Sequence, residues 1–323
     1  MQTVAVFALK GGVGKSALTI FLADFLSSIF SQRVLVVDLD PQQSSTIALL
    51  GEDRLLTVQK RDASLGRMLL DALDRKPRAA NVLSYTTERP MVKATGRFKY
   101  LQAVSVLSSD REAWHDLEDR LNLSPVSQQT ASWGLLRKAL RAVQDQFDIC
   151  VIDFPACSTG PTVKNGVVAS DWWLLPVEPN RMAARDIDGP RRLLRQVLQQ
   201  TNRKMKGLGT VLSRCQNRSS GEYRRTKIVL TQQARKRAVP QLFTKDAELS
   251  YSVEALNALD DTLRDEYKTI DQKYGGSAKP LHAAIRCLTR EILERLRIPV
   301  VEAADVETAE DVNAEVTRTY QTV

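Results

Sequence analysis

Histidine and cysteine are scarce in this chain of 323 residues: two His and four Cys (Cys150, Cys157, Cys215, Cys287), with no CxxC pair. A zinc or iron–sulfur site therefore lacks ligands at useful spacing. Without a cysteine framework the chain is no disulfide-stapled secreted scaffold, and its thiols read as the reduced thiols of a cytosolic protein. Cys150 lies in an apolar run and reads as a small core residue. No apolar run reaches the roughly 18 residues of a membrane span. The opening MQTVAVFALKGG has neither a basic leader region nor a cleavage site, so no secretory signal is expected. Internal repeats are absent, which argues against two tandem copies of one fold.

What is present is ordinary in proportion and unusual in placement. Hydrophobic residues make up 43% and charged residues 26%, the composition of a globular protein. A chain of this length buries about 75% of its unfolded surface, enough for a sizeable core. The net charge is +8 and the pI about 9.3, pointing to a polyanionic partner. Residues 181–240 hold sixteen Lys or Arg against three acids, a local excess of +13. Residues 301–323 hold six acids and only Arg318, giving −5, so the rest of the chain is neutral. A short basic run is usually a solvated helix face, but a run spread over sixty residues is a candidate surface.

Hydrophobic periodicity gives an α/β order. Thr3–Leu9 is a short, β-rich apolar run ending at a double glycine; Lys15–Phe30 carries apolar residues at helical spacing; Arg33–Pro41 is a second buried strand ending in two aspartates. Strand, helix, strand makes a βαβ unit with a right-handed crossover. The rhythm resumes with a helix over 133–147, the strand DICVIDFP, the strand Asp171–Pro179, a helix over 183–200, the strand Gly207–Arg214, a basic helix over 222–238 and a closing helix over 279–296. The expected fold is a doubly wound, mostly parallel sheet with helices on both faces. One domain over 1–298 is expected, with an elaboration at about 51–130 that includes a strand over Tyr100–Ser109, then an acidic, frayed tail over 299–323.

The strongest local signal is KGGVGKS, Lys10–Ser16, between the first strand and the first helix. It fits GxxxxGK[ST] with Ala8 or Leu9 in place of the first glycine, a deviant P-loop. Gly11, Gly12 and Gly14 free the backbone around Val13 to turn its N–H groups toward a phosphate, and the helix start running into Ala17 adds partial positive charge. Lys15 is placed to contact the β- and γ-phosphates, and Ser16 to ligate Mg2+. A chance glycine-rich turn would not match at seven positions between a strand and a helix.

Lys10 at the start of KGGVGKS, with VVDLDPQ (Val36–Gln42) and VIDFPA (Val151–Ala156), resembles the ParA/MinD family of deviant Walker ATPases, and best its ParA branch without an N-terminal helix-turn-helix. The resemblance implies ATP and Mg2+ as cofactors and a homodimer that sandwiches ATP. In it Lys10 reaches the partner's nucleotide and offsets phosphate repulsion. It also implies that Asp153 and Asp38 serve the metal and that Asp40 orients the attacking water; either aspartate near the second strand's end, taken alone, would equally be turn chemistry. Two departures stand out: Gln43 replaces the family's usual glycine after DPQ, and Ala156 replaces a second proline after the Walker B strand. Both sit in loops that respond to the γ-phosphate, so the timing of hydrolysis is expected to differ. Leu212–Arg218 and Leu242–Leu249 stand at the family's adenine end without its usual residues.

The resemblance further implies slow intrinsic ATP hydrolysis and non-specific double-stranded DNA as a partner. Arg191, Arg192, Arg195, Arg218, Arg224, Arg225, Lys227, Arg235, Lys236 and Arg237 are the candidate DNA contacts. Tyr223 is the only aromatic in residues 181–240, which favours duplex backbone over single-strand stacking. Release by a ParB-like activator or adaptor, with a plasmid, chromosome or protein compartment as cargo, and a cytoplasmic, nucleoid-associated location complete the expectation. An ATP-gated regulator of conjugation or transcription stays open. A MinD-like membrane ATPase is disfavoured by the acidic C-terminal tail, which anionic lipid would repel, and a nitrogenase-reductase-like role by the missing cysteines.

Overall fold

The computed structural model describes residues 1–89, 103–156, 159–180, 182–215, 217–236, 239–251, 270–274 and 278–302. Its strands are β1 (Gln2–Val6), β2 (Val34–Asp38), β3 (Thr87–Arg89), β4 (Val104–Leu107), β5 (Ile149–Asp153), β6 (Trp172–Val177) and β7 (Lys206–Leu212). They form one seven-stranded sheet in the order β3-β4-β2-β5-β1-β6-β7. Every pairing is parallel except β3 with β4. The sequence expectation of a doubly wound, mostly parallel sheet is thereby met.

The central strands VLVVD and ICVID are buried along their whole length, as strands covered on both faces must be. Successive side chains feed opposite cores. Ala5, Leu35, Val37, Cys150 and Ile152 enter one, while Val4, Val34, Val36, Ile149 and Val151 enter the other. The second core is covered by α1 (Lys15–Ser28) and by the closing helix Lys279–Leu296, whose limits coincide with those read from its periodicity. The first core is covered by α4 (Leu65–Leu73), α5 (Arg111–Leu123), α7 (Leu135–Ala142), α8 (Pro161–Ala169), α10 (Asp188–Gln200) and α11 (Gly221–Arg235). Short helices α2 (Ser44–Leu50), α3 (Glu52–Lys60), α6 (Val126–Ser132) and α9 (Ala183–Asp186) fill the connections.

Several boundaries differ from the sequence reading; the helix expected over 133–147, for one, is the shorter α7. The helix expected over 183–200 is two, α9 and α10, broken at Ile187. The first three residues of the strand expected over Tyr100–Ser109 lie outside the described residues, and its described part is strand over Val104–Leu107; α8 had no sequence expectation at all. The acidic tail is anchored at its base: Glu302 is buried and ion-paired with Arg286 and Arg290 of the closing helix, so fraying does not begin at Pro299. No described helix is long and apolar enough to cross a membrane.

Candidate nucleotide site

In open α/β sheets, ligands bind beyond the C-terminal ends of the strands where the winding reverses. Here the ends of β1, β5 and β2 lie side by side, with Val6 registered on Asp153 and Asp153 on Asp38. The P-loop leaves β1 at that point. Gly14 caps α1 in the left-handed region at φ 86°, and Gly12 takes φ 75°, conformations that glycine adopts without steric cost. The loop is braced from β7: Ser213 Oγ donates to the Val13 carbonyl at 2.6 Å, and Arg214 Nη1 to the Gly12 carbonyl at 2.9 Å. Gly11 and Gly12 are exposed, Ser16 is half-buried, and Val13 and Ala17 are buried.

Lys15 is buried and its Nζ donates to the Lys10 carbonyl at 2.9 Å, folding the ammonium over the loop that would receive phosphate. Lys10 itself projects from the loop and pairs with Asp186 at 2.8 Å, each side chain about a third exposed. Asp186 ends α9.

Two carboxylates end adjacent strands. Asp38 closes β2 and is fully buried. Its oxygens accept from the Asp40 N–H at 2.9 Å and from the Thr46 N–H and hydroxyl at 3.0 and 2.7 Å. Burial raises its pKa against the pull of those donors. Asp153 closes β5 and is equally buried, yet neither of its oxygens accepts a hydrogen bond among the described residues. Burial, and then the Asp38 carboxylate, push its pKa up to about 8; the Ser16 and Ser45 hydroxyls pull the other way without reaching bonding geometry. A buried carboxylate left so is costly unless a cation completes it. Its donor set, a carboxylate with the P-loop hydroxyl of Ser16 nearby and Asp38 alongside, is the oxygen-rich kind that suits Mg2+. Asp40, half-buried, accepts from the Gln42 N–H at 2.9 Å and so shapes the turn after β2.

At the base end, the Leu249 N–H donates to the Leu212 carbonyl and the Cys215 N–H to the Leu249 carbonyl, so the two segments expected there run together. Tyr251 follows, with its hydroxyl against Gly14. Sequence reasoning missed Asp186, Ser213, Arg214, Thr46 and Tyr251. Only the Ser44-Ser45-Thr46 run, a helix-start signal, could have pointed to one of them.

The basic residues divide. Arg192 and Arg195 on α10, and Arg224, Arg225 and Arg235 on α11 with Lys236 at its end, are exposed. Arg191 is half-buried and pairs with Asp188 at 3.4 Å. Arg218, exposed, and Lys227, half-buried, also bond to the buried Glu248: Arg218 donates to its carbonyl at 2.9 Å and Lys227 to its carboxylate at 2.8 Å, alongside Tyr223 at 2.6 Å. Arg237 lies outside the described residues.

A family model described as an AAA domain matches residues 1–207. The chain belongs to the ParA/MinD family of P-loop ATPases. It is 28% identical over 179 residues to a virulence plasmid ParA family protein of Chlamydia psittaci, covering 55% of this chain and 58% of that one. It is 29% identical over 180 residues, 55% of this chain and 58% of the other, to the maintenance of carboxysome distribution protein A of Synechococcus elongatus. The matched stretch thus spans little more than half of these relatives. The pNOB8 ParA structure superposes at TM-score 0.70 with 22% identity over 92% of this chain and 98% of its own. The same protein bound to nonspecific DNA superposes at 0.67 with 21% identity over the same shares. At that identity the likeness is one of fold.

Proposed function

We propose that this P-loop ATPase is a positioning ATPase: it binds ATP, dimerises around it, holds non-specific DNA while the nucleotide is intact, and lets go on hydrolysis stimulated by a ParB-like partner. The observation that carries the reading is the convergence of Lys15 and Ser16 with the unsatisfied carboxylate of Asp153 at the C-terminal ends of the central strands. Lys15 exchanges the Lys10 carbonyl for phosphate oxygens when nucleotide enters. Ser16, Asp153 and Asp38 would hold Mg2+, which supplies charge neutralisation for the phosphates. Lys10 leaves Asp186 for the nucleotide of a second copy, and Asp40 orients water through the turn it shapes. The exposed cations of α10 and α11 offer a sequence-blind surface for duplex phosphates, and relatives named for a virulence plasmid and for the maintenance of carboxysome distribution favour cargo positioning.

Retardation of unrelated duplex DNA by the purified chain, with and without MgATP, tests the reading. DNA binding that needs MgATP, and that is lost in both Lys15→Ala and Lys10→Ala with only the former losing nucleotide, is the expected result. Equal binding without ATP would overturn it.

A further inference from the structure

The turn after β2 is fastened by a side-chain bond to the segment that follows β4. Gln43 sits in the left-handed region at φ 59°, where a non-glycine residue is strained. Its amide N–H groups compensate locally: the backbone N–H donates to the Asp40 carbonyl at 2.9 Å, and the side-chain Nε2 donates to the carbonyl of Ser109. Ser109 follows β4 and directly precedes Asp110, whose carboxylate caps α5 by accepting from the Ala113 N–H at 2.8 Å. Further along α5, Glu118 accepts from the Thr162 N–H at 2.9 Å, serving as the cap that Gly160 cannot provide at the start of α8. The segment leaving Asp153 ends there. Helix α5, held in the core by Trp114, Leu117 and Leu121, thus follows directly on the residue that holds Gln43 and also caps α8.

We infer that Gln43 is a positioning residue that acts as a brake: its bond to Ser109 holds the Asp40 turn in its resting place against the segment that follows β4, and the turn must break that bond to reach the hydrolytic arrangement. The inference rests on the ATPase reading above. It concerns rate rather than nucleotide affinity, because the P-loop itself makes no part of the tether.

The test compares wild type with Gln43→Gly, which suits the backbone and removes the tether, and Gln43→Asn, which tolerates the left-handed turn but falls short of Ser109. Both variants should raise kcat about three- to tenfold, the scale of one lost hydrogen bond, with KM for ATP within about twofold. Amide exchange over residues 40–44 in the nucleotide-free protein should quicken at least about fivefold in both. Unchanged or lowered kcat in both variants, or unchanged exchange, would overturn the brake. A wild type that exchanges as expected but hydrolyses no ATP would overturn the function proposed above and, with it, the rate role, while leaving the tether standing.

Discussion

Two aspartates are buried to the same degree and treated in opposite ways. Asp24, inside α1, is surrounded by donors: Lys273 Nζ at 2.7 Å, the Tyr274 hydroxyl at 2.7 Å and the Arg89 guanidinium, itself buried. Burial works against its charge, but Lys273 and then Arg89 outweigh it and lower the pKa to about 2. Asp153 has no such donors and a second carboxylate beside it, and its pKa rises to about 8. The protein satisfies one buried carboxylate with its own residues and leaves the other without a hydrogen-bond donor among the described residues. An unsatisfied buried carboxylate beside a P-loop is thus a better marker of function than burial or charge alone.

Removing the charged groups on each side should separate the two sites most sharply. Lys15→Ala is expected to abolish nucleotide binding, a loss of about a hundredfold or more measured by fluorescent-nucleotide titration, with little change in unfolding. Asp24→Asn strands two buried cations and should lower stability by about 3–5 kcal/mol in denaturant titrations, leaving any surviving folded protein able to bind ATP. The pH responses should have opposite signs. The Asp24 contribution is complete above the ordinary carboxylate range and is lost as pH falls through about 2, whereas ligand-free protein loses stability on account of Asp153 as pH rises toward about 8. Urea midpoints measured across that span, with Asp24→Asn and Asp153→Asn as controls, read each limb separately.

The basic surface offers a milder form of the same contrast. Arg224 and Arg225 are exposed, while Lys227 is engaged with Glu248. Neutralising Arg224 and Arg225 together should reduce the salt slope of DNA binding by about 2, since each lost phosphate contact removes about one released counterion. Lys227→Ala should shift that slope far less and act mainly through Glu248.

Much of the fold was legible because it is written locally. Buried strands read as continuous β-branched runs, and the closing helix carries its period to its last turn. The P-loop was legible for the same reason, since its residues are contiguous. Helix α8 was not: PTVKNGVVA is rich in β-branched residues and holds a glycine, and its helicity depends on a cap from Glu118 and on Gly166 fitting against Leu39 and Phe154. Nor was the Asp24 network, whose members Arg89 and Lys273 lie 65 and 249 residues away in sequence. Gln43 stood out in the sequence as a departure, but what it departs for, a bond to Ser109, needed the fold.

If Asp153 is left incomplete for a ligand, thermal unfolding of Asp153→Asn beside wild type should show it. Without ligand, the variant should melt about 2–6 °C higher, because a repelled, donorless carboxylate has become neutral, and MgATP should then raise the melting temperature of wild type far more than that of the variant. A variant that melts below ligand-free wild type, or gains as much from MgATP, would contradict the account.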